Sequence, residues 1–293
     1  MTTPLAESIE LSDGRRLDVY VSGPEGATPL IWHHGTPGSR VTSRQIERSA
    51  HAHGLRLVTT SRPGYGSSSR QRGRRVVDVV ADTAEVLAWL GVDHCVTSGA
   101  SGGGPHALAC AARLHGVAGC LVVASVAPYD AADLDWLDSM GQENLDEFTA
   151  AAEGEESLRR HLRALEDDFR HISPEGITDA MSSVLPDVDR AALTGEYALD
   201  VARGFHEALA TGVDGWLDDD LAFVRPWGFD LAEVMTPTML WQGELDLMVP
   251  FAHGRWLAGA LPHAITHLVD GEGHLSIAQG AIDAMLDELV AVL

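Results

Sequence analysis

Short apolar segments alternate with amphipathic segments along most of this 293-residue sequence, and that alternation limits the folds open to the chain. Short apolar runs predict buried strands at residues 29–34, 55–60, 95–98 and 120–125. The intervening patterns predict helices at residues 44–53, 76–90 and 105–115. Because parallel strands need a crossover between them, this order predicts an α/β fold with a mostly parallel sheet and helices on both faces.

The two ends of the chain extend the same pattern. Residues 9–11 and 17–21 flank Ser12-Asp13-Gly14-Arg15, whose Asp-Gly pair favours the turn of a β-hairpin. Near the C-terminus, strands are predicted at 238–241 and 264–269, and helices at 251–260 and from Ser276 onward. We therefore expect eight strands in total.

Residues 130–225 interrupt the alternation. They carry 24 Asp plus Glu and 7 Arg, a net charge of −17. Leu158, Leu162, Leu165 and Phe169 recur at helical spacing, so a helical insertion is expected at 129–225, between core segments 1–128 and 226–293. Nine apolar side chains of the insertion are candidates for lining a substrate pocket or for packing between helices: Trp136, Leu137, Met140, Phe148, Phe169, Met181, Tyr197, Phe205 and Trp216.

The charge balance excludes several classes of function. The formal net charge is −23, from 43 Asp plus Glu and 20 Lys plus Arg, and all 20 cations are Arg. A chain without lysine has neither a pyridoxal-phosphate Schiff base nor the lysine of a nucleotide-binding P-loop. Strong acidity argues against nucleic acid or an anionic membrane as a partner, since both attract clustered positive charge.

The cysteine content and the terminus bear on the compartment. Cys95, Cys110 and Cys120 form no Cys-x-x-Cys pair, and an odd count favours reduced thiols. The first residues show no signal-peptide pattern, and no apolar run approaches the length of a spanning helix. We expect a soluble cytoplasmic protein.

Two polar features receive structural interpretations. Residues 70–75 form a short basic loop, which predicts a solvated turn. His33, His51 and His53 have no Cys or carboxylate at ligand spacing, so no metal site is expected there.

The strongest local signal for chemistry is Gly99-Ala100-Ser101-Gly102-Gly103, which fits G-x-S-x-G and lies between a predicted strand and a predicted helix. A nucleophilic serine has to be lifted clear of the backbone on a tight turn, and such a turn accepts only small neighbours. The following helix N-terminus offers N–H groups to an oxyanion. The alternative is a glycine-rich turn that packs or binds phosphate.

Other segments supply the partners that a nucleophilic serine needs. His34 and Gly35 end an earlier strand, where a second oxyanion donor is required; Pro37 has no N–H, so the expected donors are the backbone N–H groups of Thr36 and Gly102. Asp246 follows one late strand, and His274 follows the next. Ser, Asp and His therefore all lie at the carboxyl ends of predicted parallel strands, where α/β sheets form their sites.

Other residues compete for the acid and base positions. Glu244, Asp270 and Asp130 are alternatives to Asp246, and His253, His263 and His267 are alternatives to His274. Only His274 lies in the turn after the last strand, and only Asp246 lies well into the preceding turn, so these two are preferred.

Together, His34-Gly35, Gly99 to Gly103, Asp246 and His274 resemble the motifs of the α/β-hydrolase family, in order and over nearly the whole chain. The resemblance implies an eight-stranded α/β-hydrolase sheet, a catalytic triad of Ser101, Asp246 and His274, and a helical cap at 129–225. Residues 62–68 also resemble a glycine-rich loop of this family. Ser61 stands where the family often has an acidic residue, a departure expected to affect loop packing.

The resemblance also implies an activity. It favours hydrolysis of a small carboxylic ester or lactone through an acyl-enzyme on Ser101, with no cofactor or metal. A serine rather than an aspartate at the elbow disfavours dehalogenase and epoxide-hydrolase chemistry. The alternatives are an aminopeptidase similar to prolyl iminopeptidase, in which a carboxylate of the insertion would bind a substrate ammonium, carbon–carbon bond hydrolysis or perhydrolysis, and a non-hydrolytic receptor or biosynthetic enzyme on the same fold.

Overall fold

A computed structural model describes residues 4–293, and its centre is one eight-stranded sheet. The strands are β1 (Leu5–Glu10), β2 (Arg16–Ser22), β3 (Pro29–His33), β4 (Arg56–Ser61), β5 (Cys95–Ala100), β6 (Val117–Val123), β7 (Thr238–Gly243) and β8 (Ala264–Val269). They are ordered β1-β2-β4-β3-β5-β6-β7-β8. β2 runs antiparallel to both of its neighbours, β1 and β4, and the other five strand pairs within residues 4–293 are parallel, so the predicted mostly parallel sheet is confirmed.

Helices cover both faces of the sheet, as the alternation predicted. The helices that connect strands are α1 (Arg44–Ala52), α2 (Val79–Leu90), α3 (Gly104–Arg113), α10 (Phe251–Ala260) and α11 (Ser276–Val290). In β6, Cys120 and Val122 belong to the apolar cluster that contains α3, whereas Leu121 and Val123 belong to the cluster that contains α11. Successive side chains of a strand point to opposite faces, so this strand is buried on both sides.

Between β6 and β7 the chain forms six further helices, which we call the insertion. They are α4 (Gln142–Glu153), α5 (Glu155–Arg170), α6 (Ile177–Ala180), α7 (Asp187–Ala192), α8 (Gly195–Ala208) and α9 (Asp214–Phe223). Leu158 and Leu162 of α5 are fully buried, in agreement with their helical spacing in the sequence. No helix within residues 4–293 is long and apolar enough to cross a bilayer.

Several element boundaries differ from the sequence prediction; β1, for example, begins at Leu5, four residues before the predicted start. β6 begins at Val117, three residues before the predicted start, because its pairing with β5 includes an irregularity between the partners of Cys95 and Thr97. Such a bulge lengthens a strand by residues that do not extend its apolar run, so the sequence pattern does not indicate them. The helix predicted from residue 76 opens with a turn of 3-10 helix, Val76–Asp78, before α2 begins.

The prediction of a solvated turn at residues 70–75 holds only in part: residues 72–73 form a turn and Arg72 and Arg75 are exposed, but Arg74 is buried. Three of its arginines form ion pairs with the insertion: Arg70 with Asp218 (2.8 Å), Arg72 with Glu155 (2.9 Å) and Arg74 with Asp219 (2.6 Å). The Arg72 side chain is 72% exposed, but that of Arg74 is only 3% exposed. This basic loop therefore connects the core to the insertion, because its arginines pair with carboxylates of the insertion.

These ion pairs give a prediction about stability. Replacing Arg74 with Met should lower the free energy of unfolding by about 3 kcal/mol, since it removes one partner from a buried charge pair. The matched change Arg72→Met removes an exposed pair and should cost less than about 1 kcal/mol. Chemical denaturation of both variants measures the difference, and equal losses would contradict the buried position of Arg74.

Candidate active site

Ser101 occupies a sharp turn at the carboxyl end of β5. Its φ is +55°, in a region that residues other than glycine rarely adopt, and the 3-10 turn Ser101–Gly103 leads into α3. A Cβ at Gly103 would lie 2.1 Å from the carbonyl oxygen of His33, and one at Gly99 would lie 2.1 Å from the carbonyl oxygen of Gly103. Only glycine fits at these two positions, so the sequence G-x-S-x-G permits the strained turn.

The loop after β3 lies directly against this turn. An ideal Cβ on Gly35 would be 3.4 Å from the Ser101 Cβ and 3.9 Å from its Oγ. On the other side, an ideal Cβ on Gly102 would be 2.4 Å from Thr36 Oγ1. The residues proposed from sequence as oxyanion donors, Thr36 and Gly102, are therefore neighbours, and Ser101 lies next to both.

His34 supports this loop from within the protein. It is buried; its Nδ1 is 2.6 Å from the carbonyl oxygen of Gly35, and its Nε2 is 3.2 Å from the backbone N of Arg62. Burial lowers the pKa of His34 well below its usual value, with the Arg62 charge adding to the effect. A neutral ring fits both contacts, since Nδ1–H donates and Nε2 accepts.

Arg62 fixes the same loop through its carbonyl groups. Its guanidinium donates to the backbone oxygens of His34 (2.5 Å) and Gly35 (3.0 Å) and to Thr36 Oγ1 (3.1 Å). The side chain is 1% exposed, and its charge is balanced by Asp219 at 2.6 Å. The sequence placed Arg62 in a glycine-rich loop but did not indicate this contact.

Asp219 of α9 connects the insertion to the loop. One of its oxygens accepts hydrogen bonds from Thr36 Oγ1 (2.8 Å), the Tyr65 hydroxyl (2.8 Å) and Arg62 (2.6 Å). Burial alone would raise the pKa of this carboxyl, but Arg62 and Arg74 hold it well below its usual value. Asp219 is not among the residues predicted from the sequence, although three consecutive acids within an otherwise apolar helix are a signal that could have identified it.

Asp246 and His274 meet at the ends of β7 and β8. Asp246 Oδ2 lies 2.7 Å from His274 Nδ1 and accepts a further hydrogen bond from Gln242 Nε2 at 3.0 Å. Its Oδ1 accepts from the backbone N–H groups of Met248 (2.9 Å) and Val249 (2.8 Å). Four donors thus fix the carboxylate, and both it and the imidazole are buried.

The electrostatic surroundings of His274 favour its protonated form. Burial alone would lower its pKa, but the Asp246 carboxylate, through its charge and its hydrogen bond, outweighs burial, and Asp189 adds to the effect. The pKa of His274 is therefore raised above its ordinary value.

The competing acids and bases occupy other environments. His253 is buried, where its Nδ1 accepts from the Ala127 N–H and its Nε2 donates to the Trp136 carbonyl. His267 stacks on Trp241 and pairs with Glu288. The other competing residues are exposed: Asp130, Glu244, His263 and Asp270.

Two cavities meet at Ser101. The first has an empty volume of about 800 Å³ and is also lined by Thr36 and Gly102; the second, of about 1110 Å³, is also lined by His274. Six of the nine apolar candidates from the insertion line one or both cavities: Phe148, Phe169, Met181, Tyr197, Phe205 and Trp216. Trp136 instead packs against Phe148 and His253.

Two buried carboxyl groups, Glu147 and Asp220, line the first cavity together with Ser101. Glu147 accepts a hydrogen bond from Trp216 Nε1 at 2.8 Å, whereas within residues 4–293 no N–H or hydroxyl donates to Asp220. Burial raises the pKa of Glu147 to about 7, and burial together with the charge of Glu147 raises that of Asp220 well above its usual value. The two groups therefore retain a proton near neutral pH.

The other histidines and the cysteines have structural contacts. Among residues 4–293, no three or more His, Cys, Asp or Glu side chains are grouped so as to hold a metal ion. The histidines considered in the sequence contact single neighbours or pairs: His33 with Cys110, His51 with Ser22, and His53 with Ser49 and Asp287. The three cysteines are free and buried, and burial raises the pKa of the Cys95 and Cys110 thiols to about 12.

The contact between Asp246 and His274 gives a prediction that does not depend on any activity. Replacing Asp246 with Asn should lower the pKa of His274, because burial then acts without the opposing carboxylate. In the wild type the raised pKa stabilises the fold at low pH, and this contribution is lost as pH rises through the folded-state pKa. NMR titration of the imidazole measures the shift; the exposed control Asp270→Asn should leave the His274 titration unchanged.

Comparison with known proteins supports the relationship suggested by the motifs. A family model described as "alpha/beta hydrolase fold" matches residues 28–281. The chain is 23% identical over 265 residues to an uncharacterized hydrolase, YcgS, of Bacillus subtilis (strain 168), with 90% of this chain and 89% of that protein covered. It is 25% identical over 248 residues to a non-heme chloroperoxidase of Streptomyces lividans, with 84% of each covered.

Solved structures agree on the fold. An esterase, RhEst1, from Rhodococcus sp. ECU1013 superimposes with a TM-score of 0.67 at 20% identity, covering 98% of each chain. An enol-lactonase from Burkholderia xenovorans LB400 gives a TM-score of 0.68 at 16% identity, covering 98% of this chain and 99% of that one. With the family model matching most of its length, the chain belongs to the α/β-hydrolase fold family.

Proposed function

We propose that this protein is a serine hydrolase that cleaves a small carboxylic ester or lactone through an acyl-enzyme on Ser101. One observation carries the proposal: Ser101, held at a φ of +55° on a glycine-lined turn, shares a cavity with His274, whose Nδ1 is 2.7 Å from Asp246. Nucleophile, base and orienting acid are the three groups that acyl transfer of this kind requires.

The proposed reaction follows from the bonding of His274. Because Nδ1–H donates to Asp246, Nε2 is the basic nitrogen and takes the Ser101 proton as Oγ attacks the carbonyl carbon. The protonated imidazole then gives that proton to the leaving alkoxide oxygen, which departs as the alcohol. Water, deprotonated in turn by Nε2, attacks the acyl carbon; the bond from that carbon to Ser101 Oγ breaks, the imidazolium returns the proton to Oγ, and the carboxylic acid is released.

The backbone N–H groups of Thr36 and Gly102 are the proposed oxyanion donors. Gly102 lies in the turn that leads into α3, where backbone N–H groups point outward and the helix dipole favours negative charge. The hydrogen bonds from Arg62 to the loop carbonyls hold Thr36 in one position. Donors fixed before the reaction lower its barrier, each by about 3 kcal/mol.

The insertion is the proposed cap, and it would set the substrate class. Its aromatic and methionine side chains line both cavities that meet at Ser101, which suits a small molecule with apolar groups on either side of the scissile bond. Among the structures of similar fold are an esterase and an enol-lactonase, which support carboxylic esters and lactones as the first substrates to examine.

The proposal predicts the effect of removing the nucleophile. On a panel of p-nitrophenyl esters from acetate to decanoate and a simple lactone, Ser101→Ala should lower kcat more than about 10⁴-fold. Ser139→Ala is a matched control, because Ser139 also has a positive φ (+67°) but is exposed. Its turnover should equal that of the wild type.

The outcomes of this panel separate the alternatives. Turnover that survives in Ser101→Ala would rule out the acyl-enzyme. If the folded wild type turns over no member of the panel more than once, a receptor or a biosynthetic enzyme on this fold becomes the better interpretation.

The Glu147–Asp220 pair favours a second candidate function, an aminopeptidase. A substrate ammonium entering the first cavity would replace the shared proton of the pair and gain two carboxylate partners in a buried setting. Such a substrate would present its amine on the acyl side of the scissile bond, at the cavity wall shared with Ser101.

A comparison of cationic with neutral substrates tests this second candidate function. If it holds, proline and alanine p-nitroanilides should be hydrolysed, and Glu147→Gln and Asp220→Asn should each lower kcat/KM for them at least about 10-fold, the effect of losing a charged hydrogen bond. Neutral acyl esters should be little affected. Asp146→Asn, which removes one exposed charge from the same helix as Glu147, is the control. Equal loss on neutral and cationic substrates would show that the pair only supports the fold.

A further inference from the structure

Asp189 is a buried residue of the insertion whose side chain accepts three hydrogen bonds from the segment carrying His274. It lies in α7 and is fully buried. Its Oδ2 accepts a hydrogen bond from the backbone N–H of His274 (2.8 Å), and its Oδ1 accepts from those of Leu275 and Ser276 (both 2.9 Å). Helix α11 begins at Ser276, so the carboxylate caps this helix from a different part of the chain.

The neighbouring glycine makes this contact possible. A Cβ on Gly273 would lie 2.5 Å from each carboxylate oxygen of Asp189, a distance that no real Cβ contact reaches. The Gly273 N–H donates to Ser276 Oγ (2.8 Å), which closes the turn on the other side. A glycine directly before His274 is therefore required by the side chain of Asp189, and the two positions act as a pair.

His274 is consequently held by two carboxylates with different roles. Asp246 contacts the ring at Nδ1 and fixes the orientation of the ring. Asp189 contacts the backbone N–H and fixes the position of the backbone from which the side chain extends. The first belongs to the core, and the second belongs to the insertion. A side chain can reach a reacting atom accurately only if both its orientation and its backbone position are fixed.

We propose that Asp189 is a positioning residue for His274, through which the insertion completes the geometry of the base. The proposal rests on the proposed hydrolase function, in which His274 takes the Ser101 proton. It adds that this base is correctly placed only while α7 is docked against the start of α11. The insertion then contributes to the reaction as well as lining the substrate cavities.

The charge of Asp189 has a second consequence, which the exposed Asp187 on the same helix does not share. Two carboxylates raise the pKa of His274 through their charge: Asp246, from the turn after β7, and Asp189, from α7. Glu272, two residues before His274, instead accepts a hydrogen bond from Ser276 Oγ. Both aspartates raise the pKa of His274 against the effect of burial. Removing the charge of Asp189 should therefore move the acidic limb of the kcat/KM profile to lower pH.

The experiment compares Asp189→Asn with Asp187→Asn, which removes an exposed charge from the same helix. We expect Asp189→Asn to lower kcat for a p-nitrophenyl ester about 10- to 100-fold, the effect of displacing a catalytic group by about 1 Å. KM should change less than about twofold, since the cavity lining is intact. The acidic limb should shift to lower pH, and the proton NMR resonance of His274 Nδ1–H should move upfield as its hydrogen bond to Asp246 weakens.

Gly273→Ala provides an independent test from the other side of the contact. It should reproduce the loss in kcat, and the double variant with Asp189→Asn should lose less than the product of the two single losses, because both changes break one contact. Gly280→Ala, within α11 and without close neighbours other than the Glu272 side chain, is the control and should retain full activity. If Asp189→Asn does not fold, the comparison of Gly273→Ala with Gly280→Ala still tests whether the contact positions His274.

The outcomes distinguish this proposal from the proposed function. If Asp189→Asn and Gly273→Ala lower the melting temperature but leave kcat and the Nδ1–H resonance of the folded protein unchanged, Asp189 is a helix cap and not a positioning residue, whether or not the acidic limb shifts. If Ser101→Ala retains turnover, the proposed acyl-enzyme mechanism itself fails, whatever Asp189 does.

Discussion

The turn at Ser101 is pressed against the end of β3, and the rest of the site depends on this contact. The carbonyl oxygen of His33 lies 2.1 Å from where a Cβ on Gly103 would be, so the helix that follows β5 starts directly against the neighbouring strand. This close approach keeps Ser101 at a positive φ and also brings Gly35, Thr36 and Gly102 around it. A strained residue persists only where its surroundings determine it fully, and here adjacent strands of the central sheet do so.

A buried ion pair, Arg62–Asp219, connects this part of the sheet to the insertion. Asp219 and Arg62 are each almost fully buried, and neither charge would be stable there alone, since an unpaired buried ion costs several kcal/mol. The pair therefore forms only when α9 is docked on the loop after β3. Because Arg62 also binds two carbonyls of that loop, docking of the insertion and ordering of the proposed oxyanion hole are one event.

Much of this arrangement could be predicted from sequence, because its signals are local. The turn at Ser101 and the carboxylate and imidazole after the last two strands each follow from a short motif and a strand end. Asp189, Asp219 and Asp220 could not be found in this way. Their roles arise where the insertion packs against distant segments. The sequence shows Asp189 only as a member of an acidic, helical stretch, and the three consecutive acids that include Asp219 and Asp220 mark an unusual position without showing what it contacts. The basic loop at residues 70–75 was only partly predicted for the same reason, since its partners are 80 or more residues away.

Part of the acidity of the insertion then has a structural explanation. Nine ion pairs join a core arginine to an acid of the insertion: Arg40–Glu207, Arg44–Glu196, Arg44–Asp200, Arg48–Glu196, Arg62–Asp219, Arg70–Asp214, Arg70–Asp218, Arg72–Glu155 and Arg74–Asp219. In every one of them the cation lies in the core and the anion in the insertion. The side chains of Asp200, Asp218 and Asp219 are at most 2% exposed, so the charge of these three acids is not available to solvent or to a partner. Salt screens exposed pairs far more than buried ones, so Arg62–Asp219 and Arg74–Asp219, in which both partners are buried, are the contacts between core and insertion that salt weakens least.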